Sequence, residues 1–332
     1  MCREKRFLRV KASACLFAVV LLAACGAPSP PKPQFTLRIS LLRTLDHLPY
    51  FVMREQGLDR EHGLQFTEDS ASGGSAILKA IAAGSADVGY IGSVPALSGF
   101  EGGLIPGSFV PVAVASVADP EHPGVAVLTR REVNSWKDLE GQAIAVHAIN
   151  SLNGVAIKGR LQQEGVRGTT FVEIPLANMG LAVAGGNVAA AAMSEPWVTQ
   201  SLLRGDGKLL DWVIGGQPFE RMEFTVIVFR AELHRNQPQA VKAFLRAHLQ
   251  AVKWIAEKPD RARSVLAKIL DLSPDVSQKV RLLRWPLDGR TDPAMLESMQ
   301  PVLIGLGMLK APVAARQLYD QTLLSEVLKE GS

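Results

Sequence analysis

Two short polar segments have the residue types that begin helices and that bind anions at helix N-termini. The first is Ser72-Gly73-Gly74-Ser75 and the second is Asn150-Ser151-Leu152-Asn153. Ser and Asn are favoured N-cap residues, and the first backbone N–H groups of a helix lack partners within the helix. Those groups and the helix dipole attract carboxylate, sulfonate or phosphate oxygens. Plain capping in contact with water explains either segment alone, whereas the two together favour an anion-binding site.

Other polar or aromatic residues follow predicted strands and are further candidates for the same site. They are Arg43, Thr44, Asp46, His47, Ser93, Glu195 and Trp197. Asp46 and Glu195 favour a ligand with some positive character, and Trp197 could stack on it. Alone, Asp46, His47 and Glu195 are each better explained as structural loop residues, and Trp197 is explained at least as well as a core residue. Arg43 is the one plausible cation of the set, so a strongly anionic ligand would depend on helix N–H groups.

The sequence lacks the arrangements typical of hydrolases and of zinc sites. No G-x-S-x-G nucleophile turn is present. The histidines are scattered rather than clustered: His47, His62, His122, His147, His234 and His248. His147 ends an apolar segment and is compatible with a hydrogen-bonded core histidine. We therefore predict no catalytic residue, no cofactor and no metal.

The elements that must position the candidates alternate between strands and helices. We predict strands over residues 35–42, 64–68, 86–91, 109–116, 125–129, 143–148, 171–174, 189–193, 208–213 and 225–229. Helices are predicted between them, and the C-terminal third is almost entirely helical, with its clearest helix over 238–257. Such alternation indicates βαβ units in a mostly parallel sheet. Ligands bind beyond the carboxyl ends of such strands, which is where the candidates fall.

An internal repeat indicates two similar halves. Residues 79–93 and 181–195 each have a helical stretch, a glycine stop and an apolar strand, followed by a small polar residue and a proline-containing helix start. Helix–glycine–strand is common in α/β folds, so one repeat can arise by chance. We predict two α/β lobes with a cleft between them.

The N-terminus is typical of a bacterial lipoprotein. Five basic residues precede an apolar run over 12–24, which is too short to cross a bilayer but fits a secretory signal peptide. The run ends in Leu22-Ala23-Ala24-Cys25-Gly26, which resembles a lipobox. An ordinary signal peptide with an incidental cysteine is the alternative. We predict a signal peptide over 1–24, lipidation of Cys25, and a proline-rich tether over 25–34.

Removal of this signal changes the charge and cysteine content. The chain has 36 Lys and Arg against 32 Asp and Glu, and residues 1–24 hold five basic residues and one acidic residue. Subtraction leaves 31 of each, so the mature chain is neutral and no nucleic-acid partner is predicted. Cys2 and Cys15 leave with the signal, so Cys25 has no partner for a disulfide.

The chain resembles the nitrate/sulfonate/taurine family of ABC-transporter solute-binding proteins, which includes binders of thiamine precursors. The resemblance covers roughly residues 35–257 and is specific through the order and spacing of short motifs. They are HLPYFVMREQGL (47–58), GL (63–64), SGGS (72–75), AIAAGSADVG (80–89), WKDLEGQAIAV (136–146), AGGNV (184–188) and SEPW (194–197). One departure is Ala189, where the family usually has the Asp that Asp87 provides in the first half. That position begins a strand away from the cleft.

The resemblance implies the type II periplasmic-binding-protein fold, in which two α/β lobes close about a hinge. Lobe I would comprise 35–118 plus 217–332, and lobe II 119–216. The cleft would be lined by Arg43, Thr44, Asp46, His47, Gly73, Gly74, Ser75, Ser93, Asn150, Ser151, Asn153 and Glu195. The protein would be a monomer that is lipid-anchored on the periplasmic or extracytoplasmic face and works with an ABC permease and ATPase.

The ligand and the exact role stay open at this level. A zwitterion or small organic anion of the sulfonate, taurine or nitrate class comes first. An aromatic or thiamine-precursor-like molecule that stacks on Trp197 or Tyr90 comes second. A sensory subunit for a membrane receptor has the same sequence features. An enzyme like the thiamine-pyrimidine synthases is the least favoured reading, because the lipobox places the chain outside the cell.

Overall fold

Two five-stranded sheets form the framework of residues 34–331, which a computed structural model describes. The strands in chain order are β1 Phe35–Leu41, β2 Leu64–Ser70, β3 Val88–Gly92, β4 Phe109–Ala118, β5 Val125–Thr129, β6 Ala143–Val146, β7 Thr170–Glu173, β8 Ala190–Ser194, β9 Lys208–Ile214 and β10 Met222–Arg230. The predicted signal peptide, the lipidation of Cys25 and the tether up to residue 33 lie outside the described residues.

The helices connect and cover these strands. They are α1 Leu48–Gln56, α2 Leu58–Glu61, α3 Gly74–Ala82, α4 Ser93–Glu101, α5 Leu152–Gln163, α6 Leu176–Ala184, α7 Trp197–Arg204, α8 Ala231–Asn236, α9 Pro238–Glu257, α10 Pro259–Leu270, α11 Pro274–Lys279, α12 Pro293–Gly305, α13 Ala315–Leu318 and α14 Thr322–Glu330. The helix predicted over 238–257 is confirmed, and it begins at Pro238, whose missing N–H costs nothing at a helix start. None of the described helices has the length and apolarity needed to cross a membrane.

Both sheets have the same mixed arrangement. The first has the order β2-β1-β3-β10-β4 and the second β7-β6-β8-β5-β9. In the first sheet β1 is parallel to β2 and β3, and β10 is antiparallel to β3 and β4. In the second sheet β6 is parallel to β7 and β8, and β5 is antiparallel to β8 and β9. Four strands of each sheet therefore run in one direction, as expected for a mostly parallel sheet, and the antiparallel β10 and β5 make the two sheets mixed.

The internal repeat occupies matching places in the two sheets. Helix α3 leads into β3, the third strand of the first sheet, and α6 leads into β8, the third strand of the second. The chain leaves the first sheet after β4 and returns to it with β10. Contacts join the described residues into one compact unit, so the division into lobes at 118/119 and 216/217 stays a prediction.

Apolar strands and two buried clusters hold the sheets in place. All ten residues of β4 are buried, and α9 packs Phe244 and Leu245 into the core beside the first sheet. A smaller cluster in the second sheet is built around Met179, Val183 and Met193. Burial of apolar surface contributes about 25 cal/mol per Å² to the free energy of folding and is the main term that stabilises such a core.

An ion-pair network ties three strands of the first sheet together. Asp87 precedes β3 and accepts hydrogen bonds from Arg38 on β1, with Nη2 to Oδ1 at 2.7 Å, and from Arg230 on β10, with Nη2 to Oδ1 at 3.0 Å. The second sheet has Ala189 at the corresponding place, and it is buried. Asp87 is a structural residue at the amino edge of its sheet.

Candidate functional site

A cavity of about 280 Å³ lies where loops from the two sheets meet. The first sheet contributes residues after β1 and β2, together with parts of β3 and β10. The second sheet contributes residues after β6, the end of β7 and the end of β8. The lining comprises Leu42, Thr44, Asp46, His47, Ser72, Gly73, Gly74, Ser75, Ala76, Tyr90, Gly92, Pro95, His147, Ala148, Asn150, Ser151, Leu152, Asn153, Glu173, Leu176, Ser194, Phe224 and Thr225.

Helices α3 and α5 begin at this cavity, one from each sheet. Gly73 is the N-cap of α3, and Ser151 is the N-cap of α5, with its Oγ accepting from the N–H of Gly154 at 3.2 Å. The first N–H groups of each helix have no partner within the helix. Both helix beginnings therefore lie at one cavity, and their role in anion binding stays a prediction.

Close packing explains why a glycine, Gly154, lies three residues after the N-cap Ser151. A Cβ at Gly154 would lie 2.5 Å from the carbonyl oxygen of Ile149 and 2.8 Å from that of Ala148. Only glycine lets the loop after β6 fold back so closely on the first turn of α5. This turn brings Asn150 and Ser151 to the cavity.

Asp46 is held ionised by its neighbours. His47 Nδ1 lies 3.3 Å from Asp46 Oδ2, and Thr225 Oγ1 donates to the same oxygen at 3.1 Å. Burial acts to raise the pKa of Asp46, but the attraction of His47 and hydrogen bonds from His47, Thr44 and Thr225 lower it to about 2. A carboxylate with that pKa keeps its negative charge at neutral pH.

The tautomer of His47 follows from its two contacts. The N–H of Leu42 points at Nε2 at 3.4 Å, so Nε2 is the acceptor. Nδ1 then bears the proton, and it lies 3.0 Å from Thr44 Oγ1 as well as beside Asp46. Thr44 and Asp46 thus share one ring nitrogen. A nucleophile–histidine–acid relay uses the two ring nitrogens for different partners, so this cluster is not such a relay.

His147 and Glu173 add a second polar group from the other sheet. Burial lowers the pKa of His147 despite the opposing attraction of Asp46 and Glu173, so the imidazole is neutral at pH 7. Its Nδ1 is buried without a hydrogen-bond partner among the described residues. Glu173 Oε1 accepts from the N–H of Ile149 at 2.8 Å. His147 is thus a cavity residue, and its expected core partner is not found.

The remaining walls are apolar or aromatic. Leu42, Leu152, Leu176 and Phe224 line the cavity with Tyr90. The hydroxyl of Tyr90 lies 3.0 Å from Nδ1 of the buried His248, away from solvent. Burial lowers the pKa of His248 to about 3, so this pair is neutral. A few converging polar groups on a largely apolar surface are typical of small-molecule sites.

The structure brings nine of the predicted residues into the lining and places four elsewhere. The nine are Thr44, Asp46, His47, Gly73, Gly74, Ser75, Asn150, Ser151 and Asn153. Arg43 is exposed and does not line the cavity. Ser93 is buried and its Oγ donates to the carbonyl of Glu223 at 2.5 Å. Trp197 packs against the smaller core cluster.

Glu195 lies just outside the lining and serves the polypeptide itself. Its Oε1 accepts from Thr199 Oγ1 at 2.8 Å and from the N–H of Arg281 at 3.3 Å, and its Oε2 accepts from the N–H of Thr199 at 3.1 Å. Part of the hydrogen-bonding capacity of Asn153 is also used within the protein, because its Nδ2 donates to Ser194 Oγ at 3.1 Å.

Sequence reasoning missed several lining residues. His147 follows β6 as Asp46 follows β1, and Glu173 ends β7, so the rule about carboxyl ends of strands points to both. Phe224 and Thr225 lie on β10, whose neighbours in the sheet are not visible in the sequence order. No group of three potential metal ligands occurs in the part of the chain that the structure describes.

Comparison with known proteins gives a family and a fold. The NMT1-like family model matches residues 30–271. No curated protein matches the chain significantly.

Solved structures resemble the chain over most of its length. The ligand-binding component of an ABC-type import system from Staphylococcus aureus, with zinc bound, has a TM-score of 0.74 and 13% identity and covers 89% of this chain and 99% of that chain. The alkanesulfonate-binding protein SsuA from Xanthomonas axonopodis pv. citri, bound to MOPS, has a TM-score of 0.65 and 20% identity, with 90% and 98% coverage. The nitrate-binding protein NrtA from Synechocystis PCC 6803 has a TM-score of 0.70 and 16% identity, with 90% coverage of both.

An enzyme shares the same fold. The desulfurization enzyme DSZB has a TM-score of 0.67 and 18% identity, with coverage of 90% of this chain and 99% of that chain. These likenesses confirm the periplasmic-binding-protein fold. The fold alone does not separate binding from catalysis.

Proposed function

Since this chain belongs to the NMT1-like family, we propose that it is the solute-binding component of an ABC importer. It clamps a small organic anion or zwitterion of the sulfonate, taurine or nitrate class between its two sheets. The observation that carries this proposal is the pair of helix beginnings, α3 and α5, that reach one cavity from different sheets. The neighbours named as sulfonate- and nitrate-binding proteins support it.

The proposed setting follows from the N-terminus. Cys25 is lipidated after removal of residues 1–24, and the folded part is a monomer tethered on the periplasmic or extracytoplasmic face of a bacterial membrane. Its partners are a permease and an ATPase. Replacement of Cys25 by Ser would release the protein into the soluble fraction after cell fractionation, whereas unchanged membrane association would remove the lipid anchor from the proposal.

The hydrogen bonds of His47 and Glu195 argue against a catalytic role for these two predicted site residues. His47 has Thr44 and Asp46 on one nitrogen and a backbone N–H at the other, which leaves it no free nitrogen to accept a substrate proton. Glu195 is committed to Thr199 and Arg281. We propose that the chain is not an enzyme, in contrast to DSZB.

Thermal-shift screening tests the proposed function. The purified mature protein is heated with sulfonates, taurine, nitrate or thiamine precursors. A solute that binds only the folded state at 100 times its Kd adds about 2.7 kcal/mol to stability, which raises the melting temperature by several degrees. Binding is then measured by calorimetry. Absence of a shift with every class of small solute would overturn the proposal.

A second ligand class is favoured by the aromatic part of the lining. Phe224 and Tyr90 both line the cavity beside Asp46. A flat aminated ring, such as a thiamine-precursor-like molecule, can stack on one ring while its amino group donates to the carboxylate. Trp197, the other predicted stacking residue, packs in the core instead. The same screen separates the two classes.

A further inference from the structure

We propose that the solute of this cavity carries a positively charged nitrogen, which Asp46 and Glu173 hold from opposite sheets. This inference rests on the proposed solute-binding function and narrows its ligand class to small zwitterions. The anionic end lies at the helix beginnings and the cationic end at the two carboxylates.

The charge content of the lining carries the inference. Asp46 follows β1 of the first sheet, and Glu173 ends β7 of the second. No Lys or Arg is found among the cavity-lining residues that the structure describes. A purely anionic solute would therefore add a third negative charge beside two carboxylates, of which Asp46 is partly buried and Glu173 is exposed, and such like-charge juxtaposition is unfavourable. A cationic nitrogen on the solute removes this cost.

The nearby Arg and Lys side chains make no ion pair with these carboxylates in the described part of the chain, whereas His47 lies beside Asp46. Arg43 is exposed outside the lining. Lys158 donates to the carbonyl of Ile149 at 3.2 Å and lies 5.3 Å from the centre of the Phe171 ring, and it makes no ion pair with a described carboxylate. A cationic nitrogen on the solute would therefore be the charged partner of Glu173 and would add to the contact of His47 with Asp46.

Unused hydrogen-bonding capacity lies at the same place. Glu173 accepts the N–H of Ile149 on Oε1, and its Oε2 makes no hydrogen bond with the described residues. The Asp46 carboxylate is partly used, because His47 and Thr225 contact its Oδ2 and Thr44 also hydrogen-bonds it. The buried Nδ1 of His147, a residue that interacts electrostatically with both carboxylates, has no partner in the described part of the chain. An ammonium group has three N–H donors for such acceptors.

Matched pairs of solutes test the inference by calorimetry on the mature protein. Taurine is compared with isethionate, and β-alanine with 3-hydroxypropionate, because each pair exchanges an ammonium for a hydroxyl group. Nitrate and ethanesulfonate are included as pure anions. We expect the ammonium member of a binding pair to bind at least about tenfold more tightly, the usual effect of one charge-assisted hydrogen-bonded contact.

Variants assign that preference to the two carboxylates. Asp46→Asn and Glu173→Gln each should weaken binding of the ammonium solute by about tenfold and reduce its advantage over the hydroxyl solute. Glu257→Gln is the matched control, since Glu257 is exposed and lies outside the cavity. Glu173 lies on an edge strand that is largely exposed, so its variant remains informative where Asp46→Asn fails to fold.

The outcomes separate this inference from the function on which it rests. Equal binding of the hydroxyl and ammonium members, or tight binding of nitrate or ethanesulfonate without any ammonium solute, overturns the inference and keeps the solute-binding function. The inference is also overturned if Asp46→Asn and Glu173→Gln both keep the preference for the ammonium solute. Absence of binding by every solute rejects the function and the inference together.

Discussion

Glu195 is a buried carboxylate that joins two distant segments of the chain. It accepts two hydrogen bonds from Thr199 in α7 and one from the N–H of Arg281, which follows α11. Burial raises the pKa of Glu195, and the hydrogen bonds from Thr199 and Arg281 oppose the shift without cancelling it. Its ionisation is therefore less favourable in the folded chain than in the unfolded chain.

Replacement of this residue by glutamine should change how stability depends on pH. A group whose folded pKa is raised stabilises the fold fully below its unfolded pKa and loses that contribution as pH rises through its folded pKa. Relative to Glu195→Gln, the parent protein should therefore lose free energy of unfolding as pH rises above about 4.5, the region where an ordinary glutamate ionises. Urea denaturation at several pH values measures this.

The control for that experiment is Glu257→Gln, at an exposed glutamate of α9. This change should alter the free energy of unfolding by about 0.5 kcal/mol or less. A difference between the parent and Glu195→Gln that stays constant from pH 4 to pH 7 would contradict the account.

Residue types and their place after strands identify the cavity, but not which way each side chain turns. Asp46 and Glu195 both follow strands, and only Asp46 lines the cavity. Glu195 turns toward Thr199 because free N–H groups at the start of α7 attract a carboxylate four residues earlier. Such local competition for a side chain is settled by geometry that one sequence does not display. Glu173 shows the converse, since the sequence pattern predicts only that it lies in the strand over residues 171–174.

Helix beginnings are the elements on which binding depends, and two N-cap serines allow a matched comparison. Ser151 Oγ accepts from the N–H of Gly154 at 3.2 Å and donates to the carbonyl of Ala148 at 2.6 Å, at the cavity. Ser273 Oγ accepts from the N–H of Val276 at 3.4 Å at the start of α11, outside the cavity. The two residues have the same role in different places.

Alanine at either serine should lower the free energy of unfolding by about 1 kcal/mol, the usual effect of losing an N-cap. Only Ser151→Ala should also weaken solute binding, because the loop that presents the first N–H groups of α5 loses its anchor. Urea denaturation gives the first quantity and calorimetry with the best solute of the screen gives the second. Equal affinities in Ser151→Ala and Ser273→Ala would show that α5 does not contact the solute.

At the level of elements the sequence predicts most strands and helices, but not all their partners. Helix 238–257 and strand 125–129 have the predicted bounds. The sequence does not predict that β10 in the first sheet and β5 in the second run antiparallel to their neighbours. Strand β10 pairs with β3 and β4 although more than a hundred residues separate it from both. Hydrophobic periodicity is a local property and does not report such long-range pairing.

Contacts that span both sheets and the helical C-terminal third hold the described part of the chain together. A bridging segment, residues 280–292, contacts each of them. Arg281 contacts Glu195 at the end of β8, and Arg284 pairs its Nε with Oδ2 of Asp119 after β4 at 3.2 Å. The N–H of Asp292 donates to the buried Glu223 of β10 at 2.9 Å. The two sheets are thus linked by more than the chain crossings.

Acid stability should depend on the carboxylates of this framework. Burial acts to raise the pKa of Asp87, but its hydrogen bonds and ion pairs with Arg38 and Arg230 lower it. The pKa of Asp119 is likewise lowered, against the effect of burial, by hydrogen bonds from His122 and Arg284. A carboxylate with a lowered folded pKa stabilises the fold above its unfolded pKa, and this contribution is lost as pH falls through the folded pKa.

Asp87→Asn should therefore reduce stability at neutral pH and flatten its decline in acid. The amide keeps the shape of the carboxylate but removes the charge that joins β1, β3 and β10 through Arg38 and Arg230. We expect a loss of about 2 kcal/mol at pH 7, in the range for hydrogen bonds to charged groups and moderated by the partial exposure of Arg38. Urea denaturation from pH 7 down to pH 3 measures it. The difference from the parent should shrink below about pH 4, where an ordinary aspartate becomes protonated, while the exposed control Asp275→Asn stays close to the parent throughout. A constant difference across that range would mean that packing, rather than charge, makes Asp87 stabilising.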